Sequence, residues 1–377
     1  MRTSKPFVSV ALSLVFVAGC KTSKPASDVP PERAPEVPVV VKESVRVGDD
    51  KPLGGGDEIV ICGKRVSTGA PVVLWVDLPR YDASSEEPRF SQLSDDSKKP
   101  RGRRYQPGRV QKIPNPRFVA APEDGMADER SDLEKVETLS EAVVPRDCRD
   151  PKLAAEVIDQ FVLHFDVCGL SRTCFRVLQD ERGLSVHFMI DIDGTIYQTI
   201  DVRDTTWHAT KANSRSIGVE IANMGAYVPG RASALDEWYA RDAKGVYIKI
   251  PERIHDTGLR QLGFVGRPAR DARVRGVIQG DELEQYDYTP EQYKSLVRLT
   301  AALCRELPKL KPDAPRDEHG VVTNHVLSDA EWQSFQGILG HYHVQKNKND
   351  PGPAFNWEPF LADVKKRMAE LDLPPRP

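Results

Sequence analysis

The chain has no excess of charge of either sign. Lys and Arg number 53 against 56 Asp and Glu, for a net charge of −3. That balance excludes the basic footprint of a nucleic-acid binder. Past its N-terminus the chain has no apolar stretch long enough to cross a bilayer. It has no apparent internal repeat. Cysteine is scarce, with six in 377 residues, and one of these is Cys20. The length allows one large domain with appendages, or two domains.

What the N-terminus does have is an export pattern. Arg2 and Lys5 give a positive start, Phe7 to Val17 an apolar run, and Ala18-Gly19 a small pair before Cys20. This is a secretory signal over residues 1–20, too short to be a spanning helix. Val17-Ala18-Gly19-Cys20 resembles a bacterial lipobox, in which Cys20 becomes the lipidated first residue of the mature protein. Lys21 stands where an Asp would be expected in an inner-membrane lipoprotein. The expectation is therefore an outer-membrane lipoprotein that faces the periplasm. Residues 21–56 are rich in Pro, Ser, Lys, Glu and Gly and read as a flexible tether. In an oxidising compartment disulfides persist. Cys168 and Cys174, six apart in a loop-like segment, are the candidate pair, and Cys62 with Cys148 is a second option. Cys304, at an apolar position of a helix, is expected to be a buried free thiol. Five cysteines remain once Cys20 is set aside, so at least one is unpaired.

Residues 58–62 (EIVIC) and 71–77 (PVVLWVD) read as strands around a Gly-containing turn. They open an N-terminal extension, 57–148, to which the sequence assigns no role. Within it the basic run Lys98-Lys99-Pro100-Arg101-Gly102-Arg103-Arg104 reads as a solvated loop. From 149 the pattern sharpens. Residues 158–165 read as a buried strand, 173–182 as a short helix, and 216–224 as another strand. Residues 184–201 read as a hairpin turning at Asp191-Ile192-Asp193-Gly194. Thr289 caps a helix that takes Pro290 at its first position and runs to about Glu306. Tyr293, Leu296, Val297, Thr300 and Leu303 recur in it at helical spacing, which predicts one buried face. Ser328 or Asp329 opens a further helix over about 329–337. Strands mixed with helices predict an α/β fold, a central mixed sheet flanked by helices.

The segment richest in chemistry is GHYHVQKNKNDPGPAFNW, 340–357. It puts His341 or His343, Lys348 and Asp350 on one polar, non-periodic loop. Such a loop gains little by packing and keeps a fixed shape best when an ion ties it down. Upstream, in FVLHFD at 161–166, His164 interrupts an apolar strand. Two imidazoles and a carboxylate make a three-ligand zinc set with one position open, the arrangement of a hydrolytic site.

FVLHFD, SVHFMIDIDGTIYQ, TWHAT, SIGVEIAN and ILGHYHV…KNDPGPAFNW follow one another in the order and spacing of a known family. Together they resemble the zinc-dependent N-acetylmuramoyl-L-alanine amidases, a family that includes the peptidoglycan recognition proteins. The resemblance covers about 158–225 and 289–360. It implies a mixed sheet flanked by helices, with a groove over one Zn²⁺. It implies His164, His341 and Asp350 as the metal ligands, Glu220 as general base and Lys348 facing the developing oxyanion. Zinc lowers the pKa of bound water to near 7, a free carboxylate takes and returns the proton, and a fixed cation stabilises the oxyanion. His343 falls where relatives often carry Asp and is expected to be a neighbour of the site. His187 would line the groove or support it. Trp207 and His208 match positions near the substrate, Trp207 as a wall. His255, His319 and His325 lie outside the motifs. Cys168 and Cys174 look like the paired cysteines of many recognition proteins.

The departures from the family point in one direction. Val186 stands where phage-type enzymes carry a catalytic Tyr, and Glu220 is present where they lack an acid, which leans toward the bacterial anhydromuramyl-type branch. Phe165-Asp166-Val167 replaces small polar residues at the rim. An amidase domain over 149–375 would carry an insertion at 226–288, expected to overlie the groove. The implied partners are peptidoglycan or muropeptides, and a membrane through the anchor at Cys20. Two other functions fit the class: a peptidoglycan-binding protein without catalysis, and a zinc peptidase acting within the stem peptide.

Overall fold

Gln160–Phe165 reads Q-F-V-L-H-F, and every one of its residues is buried. A strand without polar alternation has to be covered on both faces, which places it inside a largely parallel sheet. The computed structural model describes residues 56–85, 105–106, 109–112, 143–146 and 151–371. Cys20, the signal, the tether up to residue 55, the basic run at 98–104 and Cys148 lie outside the described residues.

The strands in chain order are β1 (Gly56–Ile61), β2 (Lys64–Leu74), β3 (Tyr105–Gln106), β4 (Arg109–Lys112), β5 (Val143–Arg146), β6 (Gln160–Phe165), β7 (Phe188–Ile190) and β8 (Ile196–Gln198). After them come β9 (Thr205–Thr206), β10 (Ser216–Ile221), β11 (Tyr239–Asp242), β12 (Gly245–Ile248), β13 (Val274–Ile278), β14 (Asp281–Gln285) and β15 (Gly337–Gly340). Seven of them form one mixed sheet in the order β1-β2-β8-β7-β10-β6-β15. β7, β10, β6 and β15 run parallel, so their C-terminal ends share one edge. Ligands of α/β sheets bind outside that edge. The expected mixed sheet with flanking helices is what the chain forms.

The helix Pro290–Glu306 covers β2 and packs on the helix Trp357–Leu371. Its start follows the sequence signals. Thr289 Oγ1 accepts from Gln292 N–H at 3.1 Å, and Gln292 Oε1 accepts from Thr289 N–H at 2.9 Å. This reciprocal cap satisfies donors that the first turn leaves open. Beneath lie Phe161, Leu163, Ile217, Val219, Leu296, Leu299 and Ile338, all buried in one cluster.

The N-terminal extension supplies two strands of this same sheet. β1 and β2 pair around Cys62 and Gly63, both with φ above zero as a tight two-residue hairpin turn requires. β2 then pairs in parallel with β8. Asp201 accepts from the N–H groups of Cys62 and Gly63, at 2.7 and 2.8 Å, and fixes the turn to the body. β2 begins well before residue 71, because its chain runs through Gly69 in the left-handed region where the sequence suggested a break. Farther on, β3 pairs with β9, which runs directly into Trp207-His208.

Other differences from expectation are local. A helix at Pro151–Val157 precedes β6, and the helix after Ser328 ends at Ser334. The expected disulfide is not formed: Cys168 and Cys174 are both free thiols. Cys174 is buried on the helix Ser171–Arg176 and Cys168 is half-buried just before it. They meet as a hydrogen-bonded pair, which together with burial pushes the Cys174 thiol well above its usual range. Cys304 is the buried thiol the helix pattern predicted, pushed up to about 12 by burial.

Candidate metal and catalytic site

β6 lies between β10 and β15, and that order assembles the site. His164 on β6 is the register partner of Glu220 on β10. Gly340, the last residue of β15, pairs with Leu163, so His341 emerges beside His164. His341–Val344 forms a single helical turn where the sequence suggested a loop. Tyr342 N–H donates to Asp350 O at 3.2 Å, which folds the remaining polar loop back on that turn.

Three donor atoms converge. His164 Nδ1 is 3.0 Å from His341 Nδ1 and 2.9 Å from Asp350 Oδ2, and the last two are 3.0 Å apart. All three residues are buried, and they form the one metal-competent group among the described residues. Zinc at its ordinary bond lengths needs ligand–ligand edges of about 3.3 Å, so the triangle has only to open by about 0.3 Å. The protonation states suit a cation. Burial, and then His341, lower His164 to about 4, which keeps it neutral. Burial acts to raise Asp350, but the two imidazoles hold its carboxyl well below the usual range, so it is ionised. Neutral imidazole and carboxylate are the forms that bind metal.

The far nitrogens of both imidazoles are engaged. His164 Nε2 lies 2.9 Å from His208 Nδ1, and His208 Nε2 lies 3.2 Å from Ser216 Oγ. His341 Nε2–H donates to Gln345 Oε1 at 2.5 Å. With each Nε2 carrying the proton, these contacts leave the Nδ1 lone pairs facing the cluster, which is how outer partners orient metal-binding histidines. Gly218 makes the first chain fit: a Cβ there would lie 2.5 Å from His208 Nδ1.

Two expectations for substrate contact change accordingly. His208 is buried and braces His164, with both its nitrogens engaged on protein. His187 is buried too: Nδ1 accepts from Gly218 N–H at 3.1 Å and Thr206 Oγ1 lies 2.9 Å from it, while Nε2–H donates to Asp204 O at 2.9 Å. Its place is support and not the groove wall. Trp207, between them in the chain, is half-buried. His343 accepts from Gly340 N–H at 2.9 Å and donates to Thr323 O at 2.8 Å, so neither nitrogen is left for a metal. Burial lowers it to about 3.

Glu220 stays outside the donor triangle. One carboxylate oxygen, Oε2, is buried with no hydrogen-bond partner among the described residues. Burial, then the Asp350 carboxylate, push it well above the usual carboxylate range, and Lys348 opposes them. The Lys348 charge also acts on His164. At the rim, Asp166 Oδ1 accepts from the N–H groups of Cys168, Gly169 and Asn223 at 2.9–3.1 Å, tying the turn after β6 to the turn after β10. Burial raises it to about 6.

The family model for N-acetylmuramoyl-L-alanine amidase matches residues 154–353, more than half of the 377. The chain belongs to that family. No curated protein sequence matches it. Solved structures give weak likenesses. One is the E. coli N-acetylmuramyl-L-alanine amidase AmiD, in complex with the substrate anhydro-N-acetylmuramic acid-L-Ala-D-gamma-Glu-L-Lys. It is 17% identical at a TM-score of 0.30, over 55% of this chain and 57% of that one. This amidase-family chain therefore spans little more than half of AmiD's length. The amidase LysC of Clostridium intestinale is 16% identical at 0.29, over 56% and 88%. The Drosophila peptidoglycan recognition protein SA is 15% identical at 0.24, over 50% and 86%. TM-scores this low add no argument to the family match.

Sequence reasoning missed the residues that hold the ligands. Gln345 lies four residues after His341, the spacing that meets on one helical face. Gly218 is a glycine inside a strand, a mark of close backbone approach. Ser216 carried no signal.

Proposed function

We propose that this chain is a zinc amidase of peptidoglycan that hydrolyses the amide between the lactyl group of N-acetylmuramic acid and L-alanine. The observation that carries this is the triangle of His164 Nδ1, His341 Nδ1 and Asp350 Oδ2 at the open edge of the sheet, with Glu220 beside it. Zinc bound there would supply a Lewis acid and a water acidic near neutral pH. His164, His341 and Asp350 would hold it and leave one position free. Glu220, with an unspent buried oxygen, accepts the proton of the attacking water and returns it to the departing alanine nitrogen. Its raised affinity for a proton suits both halves of that transfer. Lys348, whose charge acts on both Glu220 and His164, would stabilise the carbonyl oxygen as it turns negative. His208 and Gln345 hold the two imidazoles through the cycle.

The chain would act from the outer membrane, anchored through lipid on Cys20 after removal of residues 1–20. The tether would be 21–56, the extension 57–148 and the amidase domain 149–375. Labelling with a fatty-acid analogue, in wild type and Cys20→Ala, tests the anchor: label in both, or in neither, removes it. For the activity, purified sacculi and anhydromuropeptides are digested with the zinc-loaded protein and with Glu220→Ala, and the products weighed by mass spectrometry. Free stem peptides that begin with L-alanine are expected from the wild type alone. Cuts inside the stem would make it a peptidase, and binding without products a recognition protein.

A further inference from the structure

The insertion 226–288 ends in the hairpin β13–β14, and the turn of that hairpin is in an unusual state. Gln279 has φ 56 and Gly280 φ 89. A tight turn of this kind needs two left-handed residues and takes Asn, Asp or Gly at the first position. Gln279 is strained there, and its side chain has work elsewhere. Nε2–H donates to Tyr342 O at 2.8 Å and to Gln345 O at 3.1 Å, and Oε1 accepts from Val326 N–H at 3.1 Å. Tyr342 and Gln345 bracket the helical turn that opens with His341. Its last carbonyls have no partner within so short a helix.

The opposite end of the hairpin grips the other half of the loop. Gln285, fully buried, donates from Nε2 to Pro351 O at 3.2 Å and to Asn223 Oδ1 at 3.1 Å. Its Oε1 accepts from Ala354 N–H at 3.0 Å. Tyr288 Oη–H adds a bond to Pro351 O at 2.8 Å. The surfaces touch without slack: a Cβ on Gly352 would lie 2.1 Å from Gln285 Oε1, and one on Gly276 would lie 2.9 Å from the Pro353 Cβ.

We propose that the hairpin β13–β14 is a clamp on the ligand loop, in which Gln279 sets His341 and Gln285 sets Asp350. It rests on the assignment of His164, His341 and Asp350 as zinc ligands. Gln279 and Gln285 touch neither substrate nor the reacting atoms and are positioning residues. The insertion thus takes on a task besides the expected one of overlying the groove. Tyr342 packs on Ile278 and Leu283 of the hairpin, and the clamp adds directional bonds to the polar remainder of the loop between His341 and Asp350.

The test is zinc affinity, by competition with a chromophoric chelator, beside thermal melting of the metal-free protein. Gln279→Gly relieves the backbone and removes the side-chain bonds, and Gln285→Leu keeps bulk and removes the bonds. Each is expected to weaken zinc binding by about 10-fold, the lower end of the effect of losing a ligand's direct outer partner, because each acts on the ligand through the backbone beside it. Metal-free Gln279→Gly should melt no lower than wild type. Asp242→Ala, in the other hairpin of the insertion, should leave zinc affinity unchanged. Wild-type affinity in Gln279→Gly overturns the clamp at His341, and in Gln285→Leu at Asp350. If Gln285→Leu does not fold, Gln279→Gly alone decides. A wild type that binds no zinc overturns the ligand assignment and the clamp with it, whereas a zinc-binding wild type with unaltered variants overturns the clamp only.

Discussion

The proposed centre is half strand and half loop, and the two halves are held by different forces. His164 and Glu220 sit on neighbouring strands whose flanks, Leu163, Phe165, Val219 and Ile221, are buried. Sheet hydrogen bonds and apolar packing fix their backbones, and only the side chains need bracing. His341, Lys348 and Asp350 sit on a segment in which Tyr342 and Val344 are buried among apolar side chains while the rest is polar, and its backbone carbonyls are bonded by glutamines from another part of the chain. Burial positions the strand half, whereas in the loop half it anchors the turn at Tyr342 and Val344 and directional polar bonds position the rest.

The largest effect should erase the difference. His164→Ala on the strand and Asp350→Ala on the loop are each expected to abolish zinc retention and stem-peptide release, measured by metal content after dialysis and by product mass. A variant that keeps both would put the centre on the other half alone. Glu220→Gln should lower turnover by about 10²- to 10⁴-fold while zinc content stays that of wild type, because the residue moves a proton and binds no metal. Lys348→Met should lower turnover by about 10²- to 10³-fold, again with zinc kept. Loss of zinc in that variant would show that Lys348 shapes the loop.

The bracing residues sharpen the comparison. Gly218→Ala on the strand side and Gln345→Ala on the loop side should each weaken zinc by about 10- to 100-fold. The strand variant should also melt lower, since the new Cβ meets the His208 ring inside a buried layer, while the loop variant melts as wild type. Equal melting of the two would erase the contrast. Smallest of all, Thr289→Ala should cost about 1 kcal/mol of stability in chemical denaturation, through the lost cap, and leave zinc affinity unchanged.

Local patterns foretold what local forces decide. The apolar run at 161–165, the Asp191–Gly194 turn and the Thr289-Pro290 start each became the element expected. Glycine and proline misled once: the strand β2 passes through Gly69 and Pro71, with burial alternating from Val66 to Val72 and continuous from there to Leu74. His187 and His208 looked like groove residues, since their motif says they are near the metal and not which way they face. Both turn inward to polar partners that no periodicity announces.

The sequence by itself determined the chemical inventory and its order along the chain: two histidines and an aspartate of ligand type, one acid and one lysine, each in a recognisable motif. It also determined which stretches become buried strands, because the side-chain period of a strand is written in neighbouring residues. Tertiary structure decided that β6 lies between β10 and β15, which alone brings His164, Glu220 and His341 to one edge. Parallel neighbours are joined by long crossovers, so their adjacency is a property of topology and not of any local signal. Tertiary structure likewise decided which nitrogen of each imidazole faces the cluster and which glutamines hold the loop. Those choices rest on hydrogen bonds between residues far apart in the chain, and such bonds leave no mark on the sequence around either partner.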